Sequence, residues 1–356
     1  MERRAVKYKE YPEPLEMADY EAATRQFVEH AMRHPDARAV YRYGTLRNPG
    51  ISDLDFVVVF PERVQDQGVF SSIKQAPEEV LHLVGRGNIM FMNEDSFRRI
   101  HYIDPGLQLK LLAGREYEFF HPTEAQWAFR QTASVLDWLP ERVWRILRAQ
   151  EEEVLFVTHT LVRLRSLSHS FQNVTAMVAL PAADRFCQKL DELRAVWFSL
   201  SQTEQQRSLL AMMREAVDAG KETLAAWFSS MVPDIHISCG FQTGEVAYLP
   251  GLRYVSSREF AVRREAEELR FHMPCRWFDH YRFYAQQEGA LGSSIRAISR
   301  EIGESTRCLT SEYQSFLAEK YAACNSNFAW ALRHNLGLGG SFRFGFLLPR
   351  LLPSVP

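Results

Sequence analysis

The sequence lacks several features that would assign it to a familiar class of protein. No apolar run reaches the roughly 18 residues that a membrane-spanning helix needs, and the charged N-terminus has no apolar segment typical of a secretory signal, so we expect no membrane partner. The five cysteines are odd in number, widely spaced and without a C-x-x-C pair, which favours reduced thiols and a cytoplasmic protein. The chain also has no Walker A loop and none of the motifs G-x-G-x-x-G after a strand, G-x-S-x-G or H-E-x-x-H.

Neither positive nor negative charge dominates the chain. Its 42 Lys and Arg residues nearly balance 44 Asp and Glu residues, and the net charge of −2 gives no global field toward nucleic acid or an anionic membrane. The sequence does not exclude nucleic acid as a partner, because a local basic patch would suffice. The hydrophobic fraction of 46% and the charged fraction of 24% are those of a globular protein, and 356 residues favour two domains.

Short apolar runs alternate with turn residues in the first third of the chain. The pattern predicts helices over 18–33 and 77–84, and strands over 39–43, 53–60, 88–92 and 107–112. The segment Asn48-Pro49-Gly50 predicts a turn inside a loop over 44–52. A mixture of this kind indicates a small mixed sheet flanked by helices.

The remainder of the chain has a mostly helical pattern. Helices are predicted over 151–172, 182–200, 257–271 and 311–334, and an apolar stripe at three-to-four spacing predicts another from Thr203 to Pro233. We therefore predict an α+β protein with an α/β domain over 1–121 and a helical domain over 122–336. The tail, 337–356, has Phe342, Phe344 and Phe346 in alternation, which favours docking on a sheet edge.

Two acidic residues open the most apolar of the predicted strands. Asp53 and Asp55 are two positions apart, so both side chains point to one face of an extended chain. Two carboxylates held together repel each other, and a divalent cation removes that repulsion. Mg²⁺ prefers one or two carboxylates together with the phosphates of a substrate. Residues 56–60 are apolar on both faces, which is typical of a central strand and places the carboxylates at its entrance.

The loop before the carboxylates carries groups that suit phosphate. Gly44 permits a tight turn whose backbone N–H groups can hold phosphate oxygens, and the hydroxyl of Thr45 adds a donor. Arg47 and Ser52 are further candidates for binding a nucleoside triphosphate. Phosphate donors beside a metal-binding carboxylate pair are the equipment of phosphoryl or nucleotidyl transfer.

With these residues the sequence resembles the DNA polymerase β-like nucleotidyltransferase superfamily, whose signature is Gly-Ser or Gly-Thr, a short loop, and Asp-x-Asp or Asp-x-Glu opening an apolar strand. The matching residues are Gly44, Thr45, Asp53 and Asp55. The resemblance covers about residues 20–120. It implies a nucleotidyltransferase domain followed by a helical domain that helps to hold the acceptor. It also implies Mg²⁺ (or Mn²⁺) as cofactor, a nucleoside triphosphate as substrate, and transfer of a nucleoside monophosphate to a hydroxyl of a small molecule, protein or nucleic acid.

Members of the superfamily usually add a third carboxylate from a later strand, which serves as the base for the attacking hydroxyl. The candidates here are Glu94 and Asp95 after the predicted strand 88–92, and Glu116 or Glu118 after the next one. Neither choice is compelling from the sequence. The alternative hypothesis is therefore a catalytically degenerate protein that binds nucleotide on the same fold.

Two weaker patterns leave an RNA-processing protein as a further alternative. Arg163 and His169 have the loose spacing of helical ribonuclease domains, although a surface arginine and a helix-face histidine explain them as well. The segment 270–284 interleaves arginines with aromatic residues, as in a surface for bases and phosphates, but also as in ordinary core packing. A zinc site at His272, Cys275 and His280 would lack an evident fourth ligand.

Overall fold

The computed structural model describes residues 6–65, 68–84, 89–103, 107–124, 152–175 and 179–230, with separate helical positions within 126–150 and 319–333 and a turn at 334. Within 245–274 it describes the backbone of four strands. The predictions for the tail 337–356 and for residues 275–284 lie outside the described residues. The chain divides into two compact units. The sheet unit comprises Pro14–Arg130 and Phe316–Pro356, and the helix-rich unit comprises Met1–Glu13 and Gln131–Ser315.

The elements up to residue 114 follow the predicted alternation of helices and strands. In chain order they are β1 (Lys7–Lys9), α1 (Met17–Met32), β2 (Ala39–Tyr43), β3 (Asp55–Phe60), α2 (Val69–Lys74), α3 (Glu78–Val84), β4 (Ile89–Asn93), α4 (Glu94–Arg98), α5 (Ile100–Ile103) and β5 (Leu109–Gly114). All of these except β1 belong to the sheet unit. Four strands form its sheet in the order β4-β3-β2-β5, with β3 and β4 parallel and the other pairs antiparallel.

Strand β3 is the buried centre of this sheet. Every residue from Phe56 to Phe60 is fully buried, as the continuous apolar run predicts for a strand with covered faces. On one face, the ring of Phe27 from α1 stacks on Phe56 with centroids 4.1 Å apart. On the other face, Tyr41 of β2 packs against Phe97 of α4 at 4.7 Å. Both faces of the sheet are thus covered.

A late part of the chain protects the edge strand β4. The side chain of Asn327 accepts a hydrogen bond from Asn93 N at 3.0 Å and donates one to Phe91 O at 3.4 Å, so it occupies backbone groups that a further strand would use. Trp330, fully buried, donates its indole N–H to Pro61 O at 3.1 Å. The described helical positions of 319–333 therefore complete the sheet unit.

The helix-rich unit contains α6 (Val157–Thr175), α7 (Pro181–Val196), a 3₁₀ turn (Trp197–Ser199) and α8 (Gln202–Ser230). The helix predicted over 151–172 begins later than expected, because β6 (Val154–Phe156) pairs in parallel with β1. No helix among the described residues combines the length and apolar character that crossing a membrane requires.

One predicted helix is wrong. The segment assigned to a helix over 257–271 contributes instead to a four-stranded sheet of order β7-β8-β10-β9, formed by β7 (Glu245–Leu249), β8 (Leu252–Ser257), β9 (Ala261–Glu265) and β10 (Glu268–Pro274). The sequence contains the reason, since Leu269, Phe271 and Met273 alternate with Arg270 and His272, a period of two that favours a strand.

Helices together with mixed sheets make the chain α+β, as predicted. The predicted domain ranges, 1–121 and 122–336, stay a prediction, because compactness does not test whether a segment folds independently.

Candidate functional site

The predicted glycine turn lies directly beside a carboxylate. Tyr43, the last residue of β2, pairs with Asp55, the first residue of β3, and Gly44 follows at the turn. Gly44 has φ of +78°, a conformation that favours glycine, and a Cβ added there would lie 3.7 Å from Asp55 Oδ2. Antiparallel pairing of β2 and β3 brings these residues together because the loop between them returns the chain to the same end of the sheet.

The two aspartates flank a buried residue. Leu54, between them, is fully buried and its N–H donates to Leu83 O of α3 at 2.9 Å. Asp53 and Asp55 are each half-buried. β3 begins at Asp55 and not at residue 53 as predicted, so Asp53 lies in the loop, two positions before the strand. We call residues 44–55 the carboxylate loop.

A compact turn orders the middle of the carboxylate loop. Asn48 O accepts hydrogen bonds from Ile51 N at 3.1 Å and from Ser52 N at 2.9 Å, while Asn48 N donates to Ser52 Oγ at 3.3 Å. Gly50 has φ of +84°. The turn predicted from Asn48-Pro49-Gly50 is therefore present, and it uses the hydroxyl oxygen of Ser52, a predicted phosphate-binding residue, as an acceptor.

The groups expected to bind phosphate differ in accessibility. Gly44 N donates to Gln108 O at 3.3 Å, so this N–H is engaged within the sheet. Thr45 and Arg47 are exposed on the carboxylate loop. The side chains of Thr45 and Arg47 are therefore more accessible to a phosphate than the backbone N–H of Gly44 is.

Glu94 and Asp95, the candidates after β4 for the third carboxylate, do not lie near Asp55. Because β3 and β4 run in parallel, Asn93 pairs with Phe60, five residues or about 16 Å along the strand from Asp55. Glu94 accepts a hydrogen bond from Tyr117 Oη at 2.7 Å, and Asp95 pairs with Arg99 at 2.5 Å. Burial, and after it the hydrogen bond from Tyr117 to Glu94, raises the pKa of the Tyr117 phenol.

Glu116 and Glu118, the candidates after β5, also lie toward the end of the sheet that is away from Asp55. Gly114, the last residue of β5, pairs with Ala39 at the start of β2, so Glu116 and Glu118 follow the strand away from Asp55. Leu109 is the β5 residue that pairs with Tyr43, and β5 itself carries no acidic residue. Within the part of the chain that the structure describes, no group of three His, Cys, Asp or Glu side chains is arranged to hold a metal ion.

The weaker patterns are not assembled into sites among the described residues. Arg163 and His169 both lie on α6, but six residues turn a helix by about 600°, which separates the two side chains by about 120° around its axis. His272 lies on β10, whereas Cys275 and His280 fall outside the described residues. Cys187 is half-buried, and burial raises the pKa of its thiol, which disfavours a reactive thiolate.

Three residues that support the carboxylate loop were missed by the motif. They are Tyr20 of α1, Leu83 of α3 and Gln108 before β5, and they bond to the loop through a hydroxyl or a backbone carbonyl. Tyr20 belongs to the buried stripe of α1, with Ala23, Phe27 and Ala31, so the pattern predicts its burial. Nothing in a sequence indicates where a buried hydroxyl points, and any residue type offers a backbone carbonyl.

The comparisons with known proteins identify no relative. No family model, no curated protein and no solved structure matches this chain. The carboxylate loop is therefore the feature from which a function can be inferred.

Proposed function

We propose that this protein is a Mg²⁺-dependent nucleotidyltransferase, which moves a nucleoside monophosphate from a nucleoside triphosphate to a hydroxyl of a small molecule or a protein. The observation that carries the proposal is the carboxylate of Asp55 against the Gly44 turn, with the half-buried Asp53 two positions earlier in the chain. The resemblance of the motif to the DNA polymerase β-like superfamily supports the same activity.

The donor set of the loop fits a hard divalent cation. Two carboxylates supply oxygen ligands, and both are half-buried, so they remain within reach of a ligand. A bound Mg²⁺ or Mn²⁺ would neutralise the triphosphate and orient its α-phosphorus for in-line displacement. In the reaction, the acceptor oxygen forms a bond to the α-phosphorus, the bond to the β-phosphate breaks, pyrophosphate leaves, and the hydroxyl proton passes to a base.

The rest of the loop binds the phosphates. Arg47 is exposed and offers a planar set of donors that matches phosphate oxygens, and the Thr45 hydroxyl adds one donor. Gly44 contributes its shape, since the absence of a side chain leaves the approach to Asp55 open. Its own N–H stays bonded to Gln108.

A second candidate function follows from the positions of the other acids. Glu94, Asp95, Glu116 and Glu118 all lie toward the end of the sheet opposite to Asp55, so none of them is placed to take the hydroxyl proton. This favours a nucleotide-binding protein without transfer activity. Release of pyrophosphate in the presence of an acceptor separates the two functions, because an enzyme releases it and a binding protein does not.

The test compares Asp53→Asn and Asp55→Asn with Asp95→Asn, which removes the same charge at the opposite end of the sheet. Millimolar nucleoside triphosphate with Mg²⁺ is expected to raise the melting temperature of the wild-type chain through mass action. The rise is expected to persist in Asp95→Asn and to disappear in the two loop variants. A wild-type chain whose melting temperature does not respond, or loop variants that respond fully, would refute the proposal.

A further inference from the structure

The hydroxyl of one buried tyrosine connects helix α1 to the carboxylate loop. Tyr20 is 1% exposed, and its Oη accepts a hydrogen bond from Gly50 N at 2.9 Å while donating one to Ser52 O at 2.5 Å. We propose that Tyr20 is a positioning residue, whose hydroxyl holds the loop in the form in which Asp53 and Asp55 bind one divalent cation. This inference rests on the proposed function for the identity of the ligand.

The two bonds of Tyr20 act on the backbone immediately before the first aspartate. Ser52 O belongs to the peptide group that joins Ser52 to Asp53, so its bond to Tyr20 fixes the orientation of that peptide. On the other side, Leu54 N is bonded to Leu83 O at 2.9 Å. Asp53 therefore lies between two anchored peptide groups, one tied to α1 and the other to α3.

Asp55 is fixed independently, by its pairing with Tyr43 in the sheet. The distance between the two carboxylates thus depends on whether Asp53 is held in place. A loop anchored by Tyr20 presents Asp53 to the cation in a fixed position, whereas a loop without the anchor must be ordered when the cation binds.

Packing alone does not require a hydroxyl at this position. The buried stripe of α1 continues with Ala23, Phe27 and Ala31, all apolar, and a phenylalanine would fill the space of the Tyr20 ring. A buried hydroxyl is unfavourable unless it is bonded, and here both its donor and its acceptor capacities are used on the same loop. The contribution specific to tyrosine is therefore the order of the carboxylate loop.

The experiment uses Tyr20→Phe, with Tyr117→Phe as a matched control. Tyr117 is also buried, and its hydroxyl bonds to Glu94 at the opposite end of the same sheet. Binding of Mn²⁺ alone to the full chain is followed by electron paramagnetic resonance, and amide exchange of residues 48–54 by mass spectrometry. Tyr20→Phe is expected to weaken Mn²⁺ binding about three- to tenfold, the effect of one or two hydrogen bonds, and to speed exchange in the loop. Tyr117→Phe is expected to leave both unchanged.

A measurement on the wild-type chain covers the case in which Tyr20→Phe does not fold. Because coupling is reciprocal, Mn²⁺ is expected to slow exchange of the Gly50 and Leu54 amides. Unchanged exchange with Mn²⁺ bound would overturn the inference.

The outcomes separate this inference from the proposed function. If Asp55→Asn loses Mn²⁺ and Tyr20→Phe binds it like the wild type, Tyr20 is not a positioning residue and the proposed function stands. If Tyr20→Phe and Tyr117→Phe weaken binding equally, Tyr20 acts only through general stability and the inference fails. If the wild-type chain binds no Mn²⁺, both proposals fail together.

Discussion

Replacing Asn327 with leucine is expected to open the edge of the main sheet. The side chain of Asn327 is 1% exposed and satisfies two backbone groups of β4, Asn93 N and Phe91 O. Leucine has a similar volume but no polar atoms, so both backbone groups would stay buried without a partner. Each such group costs about 1–3 kcal/mol. We therefore expect the free energy of unfolding to fall by about 2–6 kcal/mol.

The loss is measured by urea denaturation of the full chain, with hydrogen exchange at the Asn93 amide as a local readout. The control is Arg333→Ala, because Arg333 lies in the same segment and pairs with Glu62 at 2.8 Å where both side chains are more than half exposed, at 56% and 54%. Such a pair contributes about 0–1 kcal/mol. A change in Asn327→Leu no larger than that of the control, with exchange at Asn93 unaltered, would refute the assignment of Asn327 as the partner of β4.

Two further changes test other parts of the sheet unit. Gly114→Ala is expected to lower the free energy of unfolding by more than about 2 kcal/mol, because φ is +87° and the new Cβ would lie 2.2 Å from Arg38 O. Gly44→Ala should cost only about 1–2 kcal/mol, because its new Cβ would lie 3.7 Å from Asp55 Oδ2, and equal melting temperatures of the two variants would contradict this. The raised pKa of Tyr117 means that the folded state holds the phenolic proton more tightly, so this stabilisation is complete below about pH 10 and is lost as the pH rises further. Tyr117→Phe should flatten that alkaline decline, measured by denaturation at several pH values; an unchanged slope would argue against it.

The central strand shows what local sequence can predict. The apolar run from Phe56 to Phe60 predicted a strand covered on both faces, and the structure confirms it with every residue fully buried. The strand predicted over 39–43 is likewise β2 with the same limits. These predictions succeed because periodicity and continuous apolarity are properties of the segment itself.

Properties that depend on pairing between distant segments were not predictable. The sequence does not reveal that β4 pairs in parallel with β3, or that β3 and β5 both pair antiparallel with β2. Strands β4 and β5 therefore run in the direction of β3, which places Glu94 and Glu116 at the end of the sheet away from Asp55. The two bonds of the Tyr20 hydroxyl to the carboxylate loop are a second example, because they span 30 and 32 positions.

The contact between Asn93 and Asn327 joins residues 234 positions apart, and this separation has a consequence for biosynthesis. A ribosome adding about 5–20 residues per second releases β4 roughly 10–50 s before it releases the segment that covers it. During that interval the nascent chain exposes an unprotected strand edge, the kind of surface that invites association with other chains. Slow translation prolongs this exposure, and a shortage of chaperones leaves the edge uncovered. Either would therefore lower the yield of folded protein.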